Sequence, residues 1–327
     1  MFDPENFKKQ LFSFNPLDFD EAALQVFQYQ WKYNNIYQKY CSHLGKTPKS
    51  VKKLVEIPFL PIELFKSNKI TTEKWTEEKV YMSSGTTSKD SRSKHYIKDN
   101  LSYLQLAKAT FEGFFGSLEN YTLMALLPSY LEQGDSSLIS MVDYFMKFSK
   151  KDSGYFGNNH DALISNLEKT KNEKICLFGV TYALLDLAKE HQMSLPNAII
   201  IETGGMKGRR KEIIRRDLHS CLQKKLNPDS ICSEYGMTEL TSQAYSQGEL
   251  FSLPNWSKVL IRDINDPFTY LEREKIGGIN IIDFGNIHSC SFIETKDLGK
   301  VYENGQFEVL GRYDHSDIRG CNLMVSQ

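Results

Sequence analysis

Six hydroxyl-bearing or glycine residues follow one another in Ser83-Ser-Gly-Thr-Thr-Ser88, with Lys89, Arg92 and Lys94 close behind. Gly85 lets the backbone turn tightly and approach a ligand. Successive N–H groups and hydroxyls then wrap an anion, and the neighbouring cations supply charge. That chemistry suits a polyphosphate, although the common P-loop pattern Gly-x-x-x-x-Gly-Lys-Ser/Thr is absent. Plain surface turns share this composition, so its meaning depends on what accompanies it. A second stretch, Ser233-Glu-Tyr-Gly-Met-Thr-Glu239, follows an apolar strand at Ile231. Tyr235 offers a flat face to a base, Gly236 a tight turn, Thr238 a hydroxyl and Glu239 a carboxylate. Glu239 suits Mg²⁺, which prefers one or two carboxylates together with phosphate oxygens.

These residues need a frame. Residues 1–80 read as mostly helical and aromatic, with Asp18 or Asp20 capping a helix through Leu24, Phe27 and Trp31. The aromatic stripe reads as core. Ile57-Pro-Phe-Leu-Pro-Ile-Glu-Leu-Phe-Lys66 is an extended connector, because its prolines break regular structure. Leu123–Leu127, Ile175–Phe178 and Ala198–Ile201 read as buried strands. Helices intervene: one capped by Asn100, one from about Asp135 and one capped by Thr181. Gly179 ends the second strand, and the third runs into Glu202-Thr-Gly-Gly205. The basic run Lys207–Lys211 opens a further helix and reads as a solvated face. This rhythm is that of an α/β sheet whose turns hold ligands. From about Leu250 the chain becomes β-rich, with runs at Lys258–Arg262, Ile279–Asp283, Ser291–Glu294 and Phe307–Leu310 and a hairpin turn at Asn304-Gly305.

In combination the motifs resemble those of the adenylate-forming superfamily: acyl-CoA synthetases, firefly luciferase and peptide-synthetase adenylation domains. The phosphate loop resembles Ser83–Thr87, the adenine-site motif Tyr235–Glu239, the ribose-binding aspartate Asp297 in Thr295-Lys-Asp-Leu-Gly299, and the hinge Gly311-Arg-Tyr-Asp314 continued by Ile318-Arg-Gly320. All four occur in the family's order, from about residue 80 onward. The Pro-Phe-Leu-Pro stretch, Leu127-Pro-Ser-Tyr-Leu-Glu-Gln133 and Arg319-Gly-Cys-Asn-Leu323 are similar to the acyl-protein synthetases of bacterial luminescence (LuxE-like) and their phenylacetate-CoA-ligase-like relatives.

The resemblance implies an α/β fold: the large N-terminal domain of an adenylate-forming enzyme with a β-rich subdomain, its C-terminal domain truncated or absent. Residues 1–80 would form a helical segment of the core. Residues 81–311 would form the adenylation core, α/β to about 249 and β-rich over 250–311, and 312–327 the hinge and tail. ATP and Mg²⁺ are the implied cofactors. Ser84, Gly85, Thr86 and Thr87 would hold the β- and γ-phosphates, and Gly204 and Gly205 would line the adenine pocket. Tyr235 would pack the adenine beside Gly236. Thr238 would contact the α-phosphate, Glu239 the Mg²⁺ and Asp297 the ribose, while Arg312 would pair with ribose or phosphate oxygen. The family's C-terminal lysine is missing, which leaves Lys89, Arg92 or Lys94 as the assisting cation.

Bulk properties set the limits. The chain has 327 residues, net charge −1, 40% hydrophobic and 25% charged residues, an ordinary globular balance with no field to recruit nucleic acid. No signal peptide or membrane-spanning run is evident, so a cytoplasmic location is expected. Of Cys41, Cys176, Cys221, Cys232, Cys290 and Cys321, none forms a Cys-x-x-Cys pair, which argues against a zinc site or redox motif. Cys321, beside Arg319, is the candidate thiol for accepting an acyl group.

The leading reading is therefore an AMP-forming acid–thiol ligase acting as an acyl-protein synthetase. It would activate a carboxylic acid, fatty or aryl, and pass it through Cys321 to a reductase, transferase or carrier protein. A coenzyme A or acyl-carrier-protein ligase is the alternative, and a nucleotide-binding scaffold subunit without turnover is another.

Overall fold

The computed structural model describes residues 2–84, 92–127, 134–204 and 213–313. The N-terminal helices are α1 (Pro4–Gln10), α2 (Phe19–Tyr33) and α3 (Asn35–His43). Asp18 occupies the N-cap position of α2 without a capping bond from its side chain. Phe27 and Tyr37 are fully buried, so the aromatic stripe is core. After these helices, β1 (Leu60–Pro61) pairs in parallel with a distant strand, and α4 (Leu64–Ser67) follows directly. The expected extended connector over Ile57–Lys66 is extended only as far as Pro61, where it is stitched into the sheet; Ile62 and Glu63 turn and Leu64–Ser67 is helical.

Strands β2 (Lys79–Met82) and β3 (Lys94–Ile97) form a separate antiparallel hairpin. Helix α5 (Asn100–Phe115) begins beyond it. Its cap is Asp99, whose carboxylate accepts from the Ser102 N–H; Asn100 is the first helical residue. The parallel strands β4 (Tyr121–Leu126), β5 (Gly154–Tyr155), β6 (Lys174–Val180), β7 (Leu195–Thr203) and β8 (Pro228–Tyr235) alternate with α6 (Ser137–Met146), α7 (His160–Lys169), α8 (Thr181–Glu190) and α9 (Arg215–Leu226). Their spatial order is β5-β4-β6-β7-β8. The expected strands at Leu123, Ile175 and Ala198 are β4, β6 and β7. All six residues of β4 are buried, as a strand covered on both sides requires.

Two local expectations give way to specific contacts. Strand β6 runs past Gly179 to Val180, and a Cβ on Gly179 would lie 2.8 Å from Leu184 Cγ. That glycine serves close strand–helix approach. Thr181 does not cap α8; its hydroxyl reaches Glu202 instead, leaving the N-cap to Val180. The basic run Lys207–Lys211 lies outside the described residues.

Beyond β8 the sheet continues antiparallel through β9 (Ala244–Gln247) and β10 (Leu250–Ser252), then β11 (Ser257–Arg262), β12 (Gly277–Asp283), β13 (Phe292–Val301) and β14 (Phe307–Arg312). Among the described residues these strands make one sheet, ordered β11-β12-β13-β14-β10-β9-β8 before the parallel half. The Asn304-Gly305 turn joins β13 to β14, with Gly305 at φ +81° and Asn304 Oδ1 accepting from the Gln306 N–H at 3.0 Å.

Buried amides fasten the N-terminal helices to this half. Gln30 Nε2 donates to the Asn286 and Ile287 carbonyls at 3.1 Å, and Gln30 Oε1 accepts from the Ser291 N–H at 2.9 Å. Asn34 Nδ2 donates to the Ser289 carbonyl at 2.8 Å. Gln30→Met preserves volume but strands buried backbone groups, so a loss of about 2–3 kcal/mol is expected. Equilibrium urea unfolding measures it, and a change below ~0.5 kcal/mol would show that the amide is not a clamp.

Candidate active site

The hairpin β2–β3 carries Ser83 and Ser84 at its open end. The Ser83 N–H donates to the Ser93 carbonyl at 3.0 Å, and Ser83 Oγ accepts from the Ser93 N–H at 3.0 Å. These bonds close the mouth of the hydroxyl-rich loop, and Ser84 is exposed just inside it. Gly85, Thr86, Thr87 and Lys89 lie outside the described residues, as do Gly205, Arg319 and Cys321. Of the other nominated cations, Arg92 lies 3.5 Å from Asp135 and Lys94 is in β3 opposite Met82.

His95 joins the hairpin to the Tyr235–Glu239 motif. Its Nδ1 lies 2.9 Å from the Thr238 carbonyl and its Nε2 2.9 Å from Ser289 Oγ. A carbonyl only accepts, so Nδ1 carries the proton and Nε2 takes the serine hydroxyl. Burial pushes the imidazole down to about 4, so the ring is neutral at physiological pH.

Glu239 is buried. Burial raises this carboxyl above the usual range, against the pull of Ser93, Arg312 and Lys66. The Glu239 carbonyl accepts from Asn286 Nδ2 at 2.8 Å, which fixes its backbone.

A third group assembles beside it. The Tyr235 hydroxyl donates to Asp297 Oδ2 at 2.7 Å, and Arg312 Nε lies 3.5 Å from Asp297 Oδ1. Asp297 and Arg312 are cross-strand partners on β13 and β14. The Tyr235 ring packs at 5.8 Å from both Phe251 and Phe307. Desolvation raises the Asp297 carboxyl, while Tyr235 and Arg312 oppose the shift. Arg312 is largely exposed, its guanidinium open to a ligand. Tyr235, Thr238, Glu239, Asp297 and Arg312, up to 77 positions apart in the chain, are therefore brought into one neighbourhood. A Cβ on Gly236 would meet the Glu234 carboxylate, so a larger residue there would have to displace that side chain.

Sequence reasoning passes over a second layer. At the ends of β7 and β8, Glu202 receives bonds from Thr181 Oγ1 at 2.8 Å and from Ser233 Oγ, with Arg215 and His219 at 3.8 and 3.9 Å. Burial pushes Glu202 up, and its hydrogen bonds with the Arg215 charge outweigh that and hold it below the usual range. Glu234, next to Tyr235, accepts from the Thr203 hydroxyl, and burial pushes it up to about 7. Gly204, at φ +63°, accepts from Thr181 through its carbonyl at 2.5 Å, which shapes the turn at the end of β7. A glutamate directly after the apolar run Ala198–Ile201 is the one sequence signal for this layer.

No protein-family model and no curated protein matches the chain in sequence. Solved structures do match in shape. A 2-hydroxyisobutyryl-CoA ligase, in complex with 2-HIB-AMP and CoA, superposes with a TM-score of 0.66 at 12% identity, over 94% of this chain and 71% of that one. ATP-bound MatB from Rhodopseudomonas palustris gives 0.53 at 16% identity, and O-succinylbenzoate coenzyme A synthetase (MenE) from Bacillus subtilis with AMP gives 0.54 at 15%. These cover 71% and 74% of this chain but 47% and 50% of theirs, so the chain spans about half their length. The chain has the adenylate-forming ligase fold. In that fold the motif-bearing strand β8 and the hairpin β2–β3 face each other across His95.

Glu234 gives the site a pH signature. Its carboxyl is raised from 4.5 to about 7, so the native state holds a proton that the unfolded chain releases. Stability from this group therefore falls as pH rises across that window. Glu234→Gln should be stabilised relative to wild type by an increment that grows toward about 3 kcal/mol between those pH values. Denaturant titrations at stepped pH measure the difference, and a flat difference would mean that Glu234 ionises normally.

Proposed function

We propose that the chain activates a carboxylic acid with ATP as an acyl-adenylate and passes the acyl group to a thiol. The observation that carries this reading is the convergence of Tyr235, Asp297 and Arg312, joined by a hydrogen bond and an ion pair, on the motif that His95 ties to the hairpin of the hydroxyl-rich loop. Ligases of the same fold with bound ATP, AMP and acyl-AMP support it.

A carboxylate is a poor electrophile because its leaving group would be oxide; an adenylate leaves as AMP instead. The residues must align the acid with the α-phosphate and screen charge. Ser84, Gly85, Thr86 and Thr87 hold the terminal phosphates. Gly204 and Gly205 line the adenine site, Tyr235 packs the base beside Gly236, and Thr238 contacts the α-phosphate. Asp297 accepts from ribose hydroxyls; its carboxylate retains acceptor capacity beyond Tyr235 and Arg312. A buried carboxylate in the Tyr235–Glu239 motif fits the donor set of Mg²⁺, and Glu239 would hold it. Mg²⁺ supplies charge neutralisation on the phosphates.

Cys321 is our candidate acceptor, passing the acyl group to a partner reductase, transferase or carrier protein, as the acyl-protein synthetase resemblance implies. Transfer to coenzyme A is the second reading, favoured by the CoA bound to the 2-hydroxyisobutyryl ligase.

Glu239→Gln keeps the shape and removes the charge, so adenylation measured by acid-dependent pyrophosphate release should fall at least a hundredfold. Unchanged rates at low Mg²⁺ would remove Glu239 from the mechanism. With a labelled acid, wild type should retain a hydroxylamine-sensitive thioester, and Cys321→Ser should lose it while still forming adenylate. Label on another residue, or rapid acylation of coenzyme A without any label, would give the ligase reading precedence.

A further inference from the structure

Away from the nucleotide residues, two helices bring three metal-ligating side chains to one point. Helix α7 begins at His160 behind its N-cap Asn159, and α8 ends at Glu190 with His191 next in the chain. His160 Nδ1 lies 2.7 Å from Glu190 Oε2, and His191 Nε2 lies 3.9 Å from the same oxygen. One donor atom from each residue falls within 4.8 Å of the other two. The imidazoles meet edge to face with centroids 6.0 Å apart. All three line an open recess of about 610 Å³, and Asp161 borders the same space.

We propose that His160, Glu190 and His191 bind a borderline divalent cation of the zinc class. A tetrahedral ion about 2.0–2.1 Å from each donor holds its donors roughly 3.3 Å apart. The two observed separations from the glutamate oxygen straddle that value, so sub-ångström side-chain shifts convert the hydrogen-bonded group into a ligand set. Two imidazoles with one carboxylate select zinc, cobalt(II), nickel or copper over magnesium. Three protein donors leave a fourth position for water or Asp161. An ion pair alone explains less. The Glu190 side chain is 60% exposed, and exposed pairs contribute at most about 1 kcal/mol. Such a pair also uses only one histidine, whereas here two converge on one oxygen. An ion at this point would tie the start of α7 to the end of α8, across the strand β6 that separates them in sequence.

The test uses the full-length, tag-free chain stripped of metal and kept free of nucleotide, titrated with Zn²⁺ by calorimetry and with Co²⁺ by visible absorption. One equivalent should bind with Kd below about 100 µM. His160→Ala and His191→Ala should each weaken binding at least about tenfold, while Cys221→Ser leaves it unchanged. Saturating Zn²⁺ should raise the melting temperature of wild type and leave that of His160→Ala unmoved. Weaker binding, binding indifferent to both histidine variants, or binding lost in Cys221→Ser would overturn the proposal. None of these readouts depends on ligase activity, so the site stands or falls apart from the adenylation reading.

Discussion

The arrangement of the candidate site depends on one buried neutral imidazole. His95 spans the gap between the hairpin that opens into the hydroxyl-rich loop and the Thr238 carbonyl. Its other nitrogen meets Ser289, whose own carbonyl takes bonds from Asn34 and Thr72. One ring therefore couples the loop, the glutamate motif, the β-rich half and the N-terminal helices. A protonated ring would lose its acceptor at Nε2 and place an unpaired charge in a dry interior. Desolvation forbids that state over the physiological range, so the join is insensitive to ordinary pH change.

Around this join the fold gathers carboxylates that burial destabilises. Glu234, Glu239, Asp283 and Asp297 are all raised above their usual range by loss of water. Two of these have a structural use: Asp283 accepts from the Thr241 and Ser242 N–H groups, and Asp297 anchors Tyr235. Burial raises Glu239 against the pull of Arg312 and Lys66, and a cation beside it would act in the same sense as those charges. A fold tolerates such groups where function needs them; Glu234 and Glu239 lie at and just beyond the end of β8, Asp283 at the end of β12 and Asp297 within β13.

Much of this was legible in the sequence because apolar runs bounded by turn residues admit few alternatives. Strands β4, β6 and β7, the β-rich half and the Asn304-Gly305 turn follow from hydrophobic pattern and glycine chemistry alone. Family resemblance picks out the motif residues as a set, and the structure brings Tyr235, Asp297 and Arg312 together. What escaped depends on contacts between distant segments. Nothing local distinguishes His95 from a surface histidine, since its partners lie 143 and 194 positions away. Thr181 looks like a helix cap until Glu202 comes within reach of its hydroxyl. Asp99 outcompetes Asn100 by one position because its carboxylate meets the Ser102 N–H. Burial raises the thiols of the four buried cysteines, Cys41 to about 12 and Cys232 to about 11, which keeps them protonated and inert. Cys221, half-buried, completes the free thiols among the described residues.

The most direct measurement is ATP–pyrophosphate exchange by the wild-type chain across a panel of fatty and aryl acids with Mg²⁺. Reversible adenylation requires that at least one acid drive labelled pyrophosphate into ATP, and that omission of the acid or of Mg²⁺ abolish the exchange. If the chain binds ATP and no acid supports exchange, the residues gathered around His95 and Glu239 form a nucleotide site without adenylation chemistry, and the scaffold reading replaces the ligase.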